Sequence, residues 1–117
     1  MVGDDVIDAY NSRPRYELNS KKLTTERADK LKTYGSQAEN LLLNRDFVQF
    51  IHHYKFEVTE QLAGITGFTP EDNEKRIAYS NYLSGIDGFI ASLQRAKYYK
   101  DKVVSDQQKA VDSPIET

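Results

Sequence analysis

Apolar residues recur at steps of three and four in three segments of the chain, which is the pattern of amphipathic helices. In the first segment they are Ala28, Leu31, Tyr34, Ala38, Leu41 and Leu42. This spacing predicts a helix over residues 25–44, with Thr24 or Thr25 as its N-cap. Gly35 costs about 1 kcal/mol relative to Ala in a helix interior, so it indicates either a break or a close helix crossing.

A second stripe predicts a helix over residues 46–64, after the capping residues of Asn44-Arg45-Asp46. Its apolar positions are Phe47, Phe50, Ile51, Tyr54, Val58, Leu62 and Ile65. Gly64 and Gly67 predict its end through a left-handed cap, and the residue before Pro70 is driven out of the helical region. A tight turn is therefore expected at residues 65–69.

The start of the third helix is the best specified boundary. Thr69 is its predicted N-cap, Pro70 suits the first helical position, and acidic residues follow where the helix dipole favours them. The stripe that follows is Ile77, Tyr79, Tyr82, Leu83, Ile86, Phe89, Ile90, Leu93 and Ala96. Cations gather near residues 95–102, where they suit a carboxyl terminus. A long helix over residues 70–102 is predicted.

Neither end of the chain shows a sustained period. Residues 1–20 are interpreted as an extended N-terminal arm, either a strap for a neighbouring subunit or a disordered terminus. Residues 104–117 are interpreted as a polar C-terminal tail, and both ends are expected to be flexible. Residues 21–103 form the predicted helical domain between them.

The short turn at residues 65–69 implies an antiparallel αα-hairpin, along which the first helix packs. No segment alternates with the period of two that a sheet needs. The predicted fold is therefore all-α, with three helices built on the hairpin and a long third helix.

Composition excludes several kinds of chemistry. The chain of 117 residues has no Cys and a formal net charge of −2. Disulfides, thiolate zinc sites and cysteine nucleophiles are therefore excluded, and no half is basic enough to indicate nucleic-acid binding. Apolar runs reach only three residues, as in Leu41-Leu42-Leu43, so no membrane span or signal sequence is expected.

Two adjacent histidines, His52 and His53, point in different directions on a helix, so we expect no metal site. Together with Tyr54, Lys55 and Glu57 they form no organised acid–base group. A di-iron site is not expected either, because the Glu-x-x-His pattern is missing. We therefore predict a protein that is not an enzyme and has no cofactor.

Gly85 and Gly88 lie in the middle of the third predicted helix, where each costs about 1 kcal/mol relative to Ala. The favoured explanation is a close helix crossing that admits Phe47, Phe50 or Tyr54 from the second helix. A hinge or a close subunit contact is the alternative.

The segment Lys97-Tyr98-Tyr99-Lys100-Asp101-Lys102 interleaves cations with aromatic rings, as single-stranded nucleic-acid binders do. The same cations also suit a helix terminus. We expect Tyr98 and Tyr99 to anchor a protein interface instead, because tyrosine is enriched there. Tyr10 and Tyr16 are the corresponding candidates in the N-terminal arm.

Residues 41–100 resemble small helical-hairpin proteins from the structural and packaging gene clusters of tailed phages. The resemblance rests on Leu41 to Phe50 and on Glu74-Lys75-Arg76 with Tyr82 to Ile90. It implies a viral structural or assembly protein in the head, connector or tail region, found in the virion or the host cytoplasm. Its expected partners are other virion subunits or a homo-oligomer of the chain.

Two other functions remain open. One is a monomeric regulatory or host-inhibiting binding module, which requires an exposed apolar or charged patch. The other is a nucleic-acid-associated packaging factor that uses Lys97, Lys100 and Lys102 with the paired tyrosines.

Overall fold

The computed structural model describes residues 2–13 and 23–112, and these residues form helices without any strand. The helices are α1 (Val2–Asn11), α2 (Thr25–Leu43), α3 (Arg45–Ala63) and α4 (Pro70–Asp112). The all-α prediction is confirmed. The predicted number of helices is wrong by one, because α1 was not expected.

The N-terminal segment is helical where an extended arm was predicted. Asp4 and Asp5 occupy the first turn of α1, where the helix dipole favours negative charge. At the other end, the hydroxyl of Ser12 donates a hydrogen bond to the carbonyl of Asp8. The prediction of an extended arm is therefore wrong for residues 2–11, and residues 14–20 lie outside the described residues.

Helix α4 continues ten residues beyond its predicted end. The prediction of a polar tail from residue 104 is therefore wrong for residues 104–112, which are helical. Val103 is buried with Leu31 of α2. One turn further, the ammonium of Lys32 donates to Gln107 over 3.1 Å. Packing against α2 supports this polar stretch as helix, although its sequence lacks a periodic apolar stripe.

Side-chain caps begin three of the helices. The amide of Arg27 donates to the hydroxyl of Thr24 over 3.2 Å, and the amide of Phe47 donates to Asn44 Oδ1 over 2.9 Å. At α4 the cap is reciprocal, because the Asp72 amide donates to Thr69 Oγ1 while the Thr69 amide donates to Asp72 Oδ2. The predicted start at Thr69-Pro70 is confirmed.

The turn at residues 64–69 does not use the predicted left-handed glycine. Gly64 has φ −74°, and no described residue has a positive φ. The guanidinium of Arg76 instead donates to the carbonyls of Ile65 and Gly67 and lies 4.9 Å from the centre of the Phe68 ring. Arg76 thus satisfies carbonyls that follow the end of α3.

The chain forms two compact units. The terminal unit comprises the described parts of residues 1–40 and 94–117, and the central unit comprises residues 41–93. In the terminal unit, Ala28, Leu31 and Val103 form a buried cluster with Leu23 and Tyr99 packed against it. Gly35 touches Lys100 and lies near the Ala96 carbonyl, so it marks a close crossing of α2 and α4 and not a break.

The central unit brings α3 against the first part of α4. Val58 and Leu93 are its buried apolar residues among those described. The rings of Phe47 and Phe89 meet edge to face, with their centres 6.3 Å apart. The Lys55 ammonium forms an ion pair of 2.7 Å with Asp87, so α3 and α4 are joined by both apolar and charged contacts.

Candidate interaction surface

A row of exposed apolar side chains follows one side of the central unit. Phe47 and Phe50 are three residues apart, so they share one face of α3. Tyr82 and Phe89 are seven residues apart and share one face of α4. The contact between Phe47 and Phe89 joins the two rows into one surface, which we call the aromatic face.

The aromatic face is largely open to solvent. Phe50 is 73% exposed, Tyr82 50% and Phe89 45%, whereas Phe47 is half-buried. Burying such side chains contributes about 1.5–3 kcal/mol each, so leaving them exposed forgoes substantial stabilisation. A contiguous exposed apolar surface of this kind is typical of a protein interaction site.

Gly85 lies on the same side of α4, between Tyr82 and Phe89 at steps of three and four. A Cβ added at Gly85 or Gly88 would meet no atom of the described residues within 4 Å. The predicted close crossing at these glycines is therefore wrong within the chain. Because both glycines are exposed, their helix cost is not offset by any packing that the structure describes.

The three residues predicted to fill that crossing differ in their exposure to solvent. Phe47 and Tyr54 are half-buried, and the Phe47 ring contacts Phe89 of α4. Phe50 is exposed, so its predicted place in the buried stripe is wrong. Its side chain extends the aromatic face instead.

The four tyrosines predicted to anchor a partner also differ in their surroundings. Tyr10 and Tyr98 are well exposed, and the Tyr98 ring meets that of Tyr99 edge to face at 5.4 Å. Tyr99 packs against the core cluster of the terminal unit, because α4 continues along α2 here. Tyr16 lies outside the described residues.

Helix α1 turns its polar side toward α2. Asp8, Ser12 and Arg13 line an open cleft of about 690 Å³ with residues of α2 that include Tyr34. Val6, Ile7 and Tyr10 are exposed. In the sequence, steps of three and four residues connect Tyr10 to Ile7 and Val6, which is too short a pattern to predict a helix.

The cations of the Lys-Tyr-Tyr-Lys segment are engaged within the terminal unit. Lys97 pairs with Asp101 at 2.7 Å, and this hydrogen bond raises the pKa of the Lys97 ammonium above its usual value. Lys100 pairs with Glu39 of α2 at 3.1 Å. Two of the three lysines offered for nucleic-acid binding thus have carboxylate partners.

The described part of the chain has neither a metal-site cluster nor a membrane-spanning helix. No group of three or more His, Asp or Glu side chains there has the arrangement of a metal site, and His52 and His53 are both exposed. None of the four helices is long and apolar enough to cross a bilayer.

The apolar pattern of the sequence included the residues of the aromatic face but did not distinguish them from core residues. Tyr82 and Phe89 belong to the predicted apolar stripe of α4 and Phe50 to that of α3, and all three were expected to pack inside. Gly85, which lies in the row between Tyr82 and Phe89, is compatible with both a close crossing and an open surface, so it does not separate the two cases. Comparisons with protein-family models, with curated proteins and with solved structures found no match to this chain.

Proposed function

We propose that this chain is a non-catalytic structural or assembly protein of a tailed phage, acting by protein–protein contact in the virion. The observation that carries the proposal is the aromatic face of the central unit. Its exposed side chains form one continuous surface that the described residues leave uncovered. A partner protein that covers this surface would gain hydrophobic binding energy without any catalytic group.

The proposal includes an antiparallel hairpin of α3 and the first part of α4. Phe47, near the start of α3, contacts Phe89, well along α4, while the turn at residues 64–69 joins their other ends. This hairpin would be the rigid element that presents the aromatic face. The resemblance to phage hairpin proteins covers residues 41–100, so it includes the whole central unit.

A regulatory or host-inhibiting module is the second candidate, because the same aromatic face would serve a single target protein equally well. Packaging by direct nucleic-acid contact is less well supported. Lys97 and Lys100 are held by Asp101 and Glu39, so fewer positive charges remain for phosphate groups.

Quantitative mass spectrometry of purified phage particles tests the proposal. Particles are prepared from the phage that encodes the chain, and its copy number is measured against the major capsid protein. A fixed copy number that survives high-salt washing supports a virion component. Absence from both mature particles and assembly intermediates would overturn the proposal and favour the regulatory module.

A further inference from the structure

We infer that the aromatic face is covered by the aromatic face of a second copy of this chain, in a symmetric dimer. The inference rests on the proposed function, because it names the partner of the same surface. Two properties of the aromatic face support it. One is the area that the face exposes, and the other is the presence of both a projecting ring, at Phe50, and open space, at Gly85.

The area of the aromatic face matches a small dimer interface. From the size of large apolar side chains, the exposed parts of Phe50, Tyr82 and Phe89 amount to roughly 350 Å² of apolar surface per copy. Since about two-thirds of a homodimer interface is apolar, two copies then bury roughly 1,100 Å² in total, near the lower limit for a specific interface. A weak, reversible dimer is therefore expected.

The shape of the face is complementary to itself. The contact of Phe47 with Phe89 fixes the level of one helix against the other. Phe50 lies three residues after Phe47, and Gly85 lies four residues before Phe89 on the oppositely directed helix. Phe50 and Gly85 therefore lie at the same level of the hairpin, one projecting a ring and the other offering open space.

A two-fold axis parallel to the helices places α3 of one copy over α4 of the other. The rotation does not move residues along the axis, so Phe50 of one copy stays level with Gly85 of the other. Phe50 of each copy then enters the space above Gly85 of the other copy. In a symmetric interface, every such contact occurs twice. The pairing gives Gly85 a packing role that it lacks within a single chain.

Sedimentation equilibrium of the full chain at about 1–300 µM tests the inference, with variants of exposed residues. Phe50→Glu should raise the dimer Kd at least about 30-fold, as expected of a buried aromatic anchor. Phe56→Glu is the matched control, because Phe56 is similarly exposed on α3 but lies off the row of Phe50. It should change the Kd less than about threefold.

A complementation experiment tests the pairing of Phe50 with Gly85. Phe50→Glu and Gly85→Lys should each be monomeric alone, because one introduces a charge and the other fills the open space. Mixed together, they should form a heterodimer with one Glu–Lys contact and one native contact. Circular dichroism confirms that each variant is folded, which is expected since both positions are exposed.

Three outcomes would overturn the inference. A wild-type chain that remains monomeric at 300 µM excludes a second copy as the partner. Failure of the mixed variants to associate excludes the pairing of Phe50 with Gly85. Loss of the dimer in Tyr10→Glu but not in Phe50→Glu would assign the contact to α1. A monomer that is still present in phage particles would contradict this inference alone and leave the proposed function standing.

Discussion

The backbone of Gly35 lies directly against the side chain of Lys100, with the Ala96 carbonyl only 2.7 Å from where a Cβ would be. Helices α2 and α4 approach so closely here that no side chain fits between them. The contact fixes the crossing of the two helices that form the core of the terminal unit.

Replacing Gly35 by Ala should destabilise the protein, although Ala is the better helix former. The new methyl group forces apart two helix backbones, and such overpacking costs about 1–3 kcal/mol. Gly88→Ala is the matched control, because it meets open space and should stabilise by up to about 1 kcal/mol. Urea unfolding at low protein concentration measures both. A Gly35→Ala variant as stable as wild type would contradict the close crossing.

Two leucines should differ sharply on truncation. Leu31 is 3% exposed within the core cluster, so Leu31→Ala should cost about 2–5 kcal/mol. Leu43→Ala removes the same atoms from an exposed position and should change monomer stability by about 0.5 kcal/mol or less. Thermal unfolding followed by circular dichroism gives the comparison. Equal effects would show that the core is not centred on Leu31.

The reciprocal cap of Thr69 and Asp72 should make stability sensitive to acid. Hydrogen bonds from the Thr69 side chain and backbone, helped by the charge of Arg76, hold the pKa of Asp72 below 3.8. A depressed folded pKa adds stability above the unfolded pKa, and this stability is lost as pH falls through the folded value. Unfolding should therefore become easier below about pH 4.

Asp72→Asn should flatten this acid limb in urea unfolding measured from pH 2 to pH 7. Glu74→Gln is the control, because it removes one charge from the same helix and leaves the cap in place. Thr69→Ala should also cost about 1 kcal/mol at neutral pH, as loss of an N-cap usually does. An unchanged acid limb in Asp72→Asn would remove Asp72 from this role.

The pair of Lys100 and Glu39 should couple α2 to α4. Both side chains are less than one-third exposed and lie 3.1 Å apart. A double-mutant cycle with Lys100→Met and Glu39→Gln should give a coupling energy of about 1 kcal/mol. The exposed pair of Lys75 and Glu71 within α4 should give about 0.3–0.5 kcal/mol. Equal coupling energies would show that partial burial adds nothing to the first pair.

Helix boundaries with local chemical signals were predictable from sequence. Asn44 and Thr69 accept hydrogen bonds from their own helices, so the starts of α3 and α4 follow from neighbouring residues alone. The end of α4 depends on Val103 meeting Leu31, a contact across more than seventy residues. Helix α1 was missed because ten residues with a polar inner side give too short a pattern.

The glycines show why the candidate site was harder to predict than the fold. Glycine in a helix is equally compatible with a close crossing, as at Gly35, and with an open surface, as at Gly85. Local sequence does not distinguish these cases, since the difference lies in what another helix places opposite. The same limit applies to Phe50, whose periodic position is compatible with either the buried or the exposed side of α3.

Arg76 contacts the turn at residues 64–69 from outside it, by donating hydrogen bonds to the carbonyls of Ile65 and Gly67. The acceptors in the turn are backbone carbonyl oxygens, which every residue type supplies. Residues 65 and 66 should therefore tolerate substitution by most residue types, which the stability of a library of full-chain variants would measure. A Cβ at Gly67 would displace the Asp72 carboxylate, so a substitution there should weaken the cap of Thr69 and Asp72.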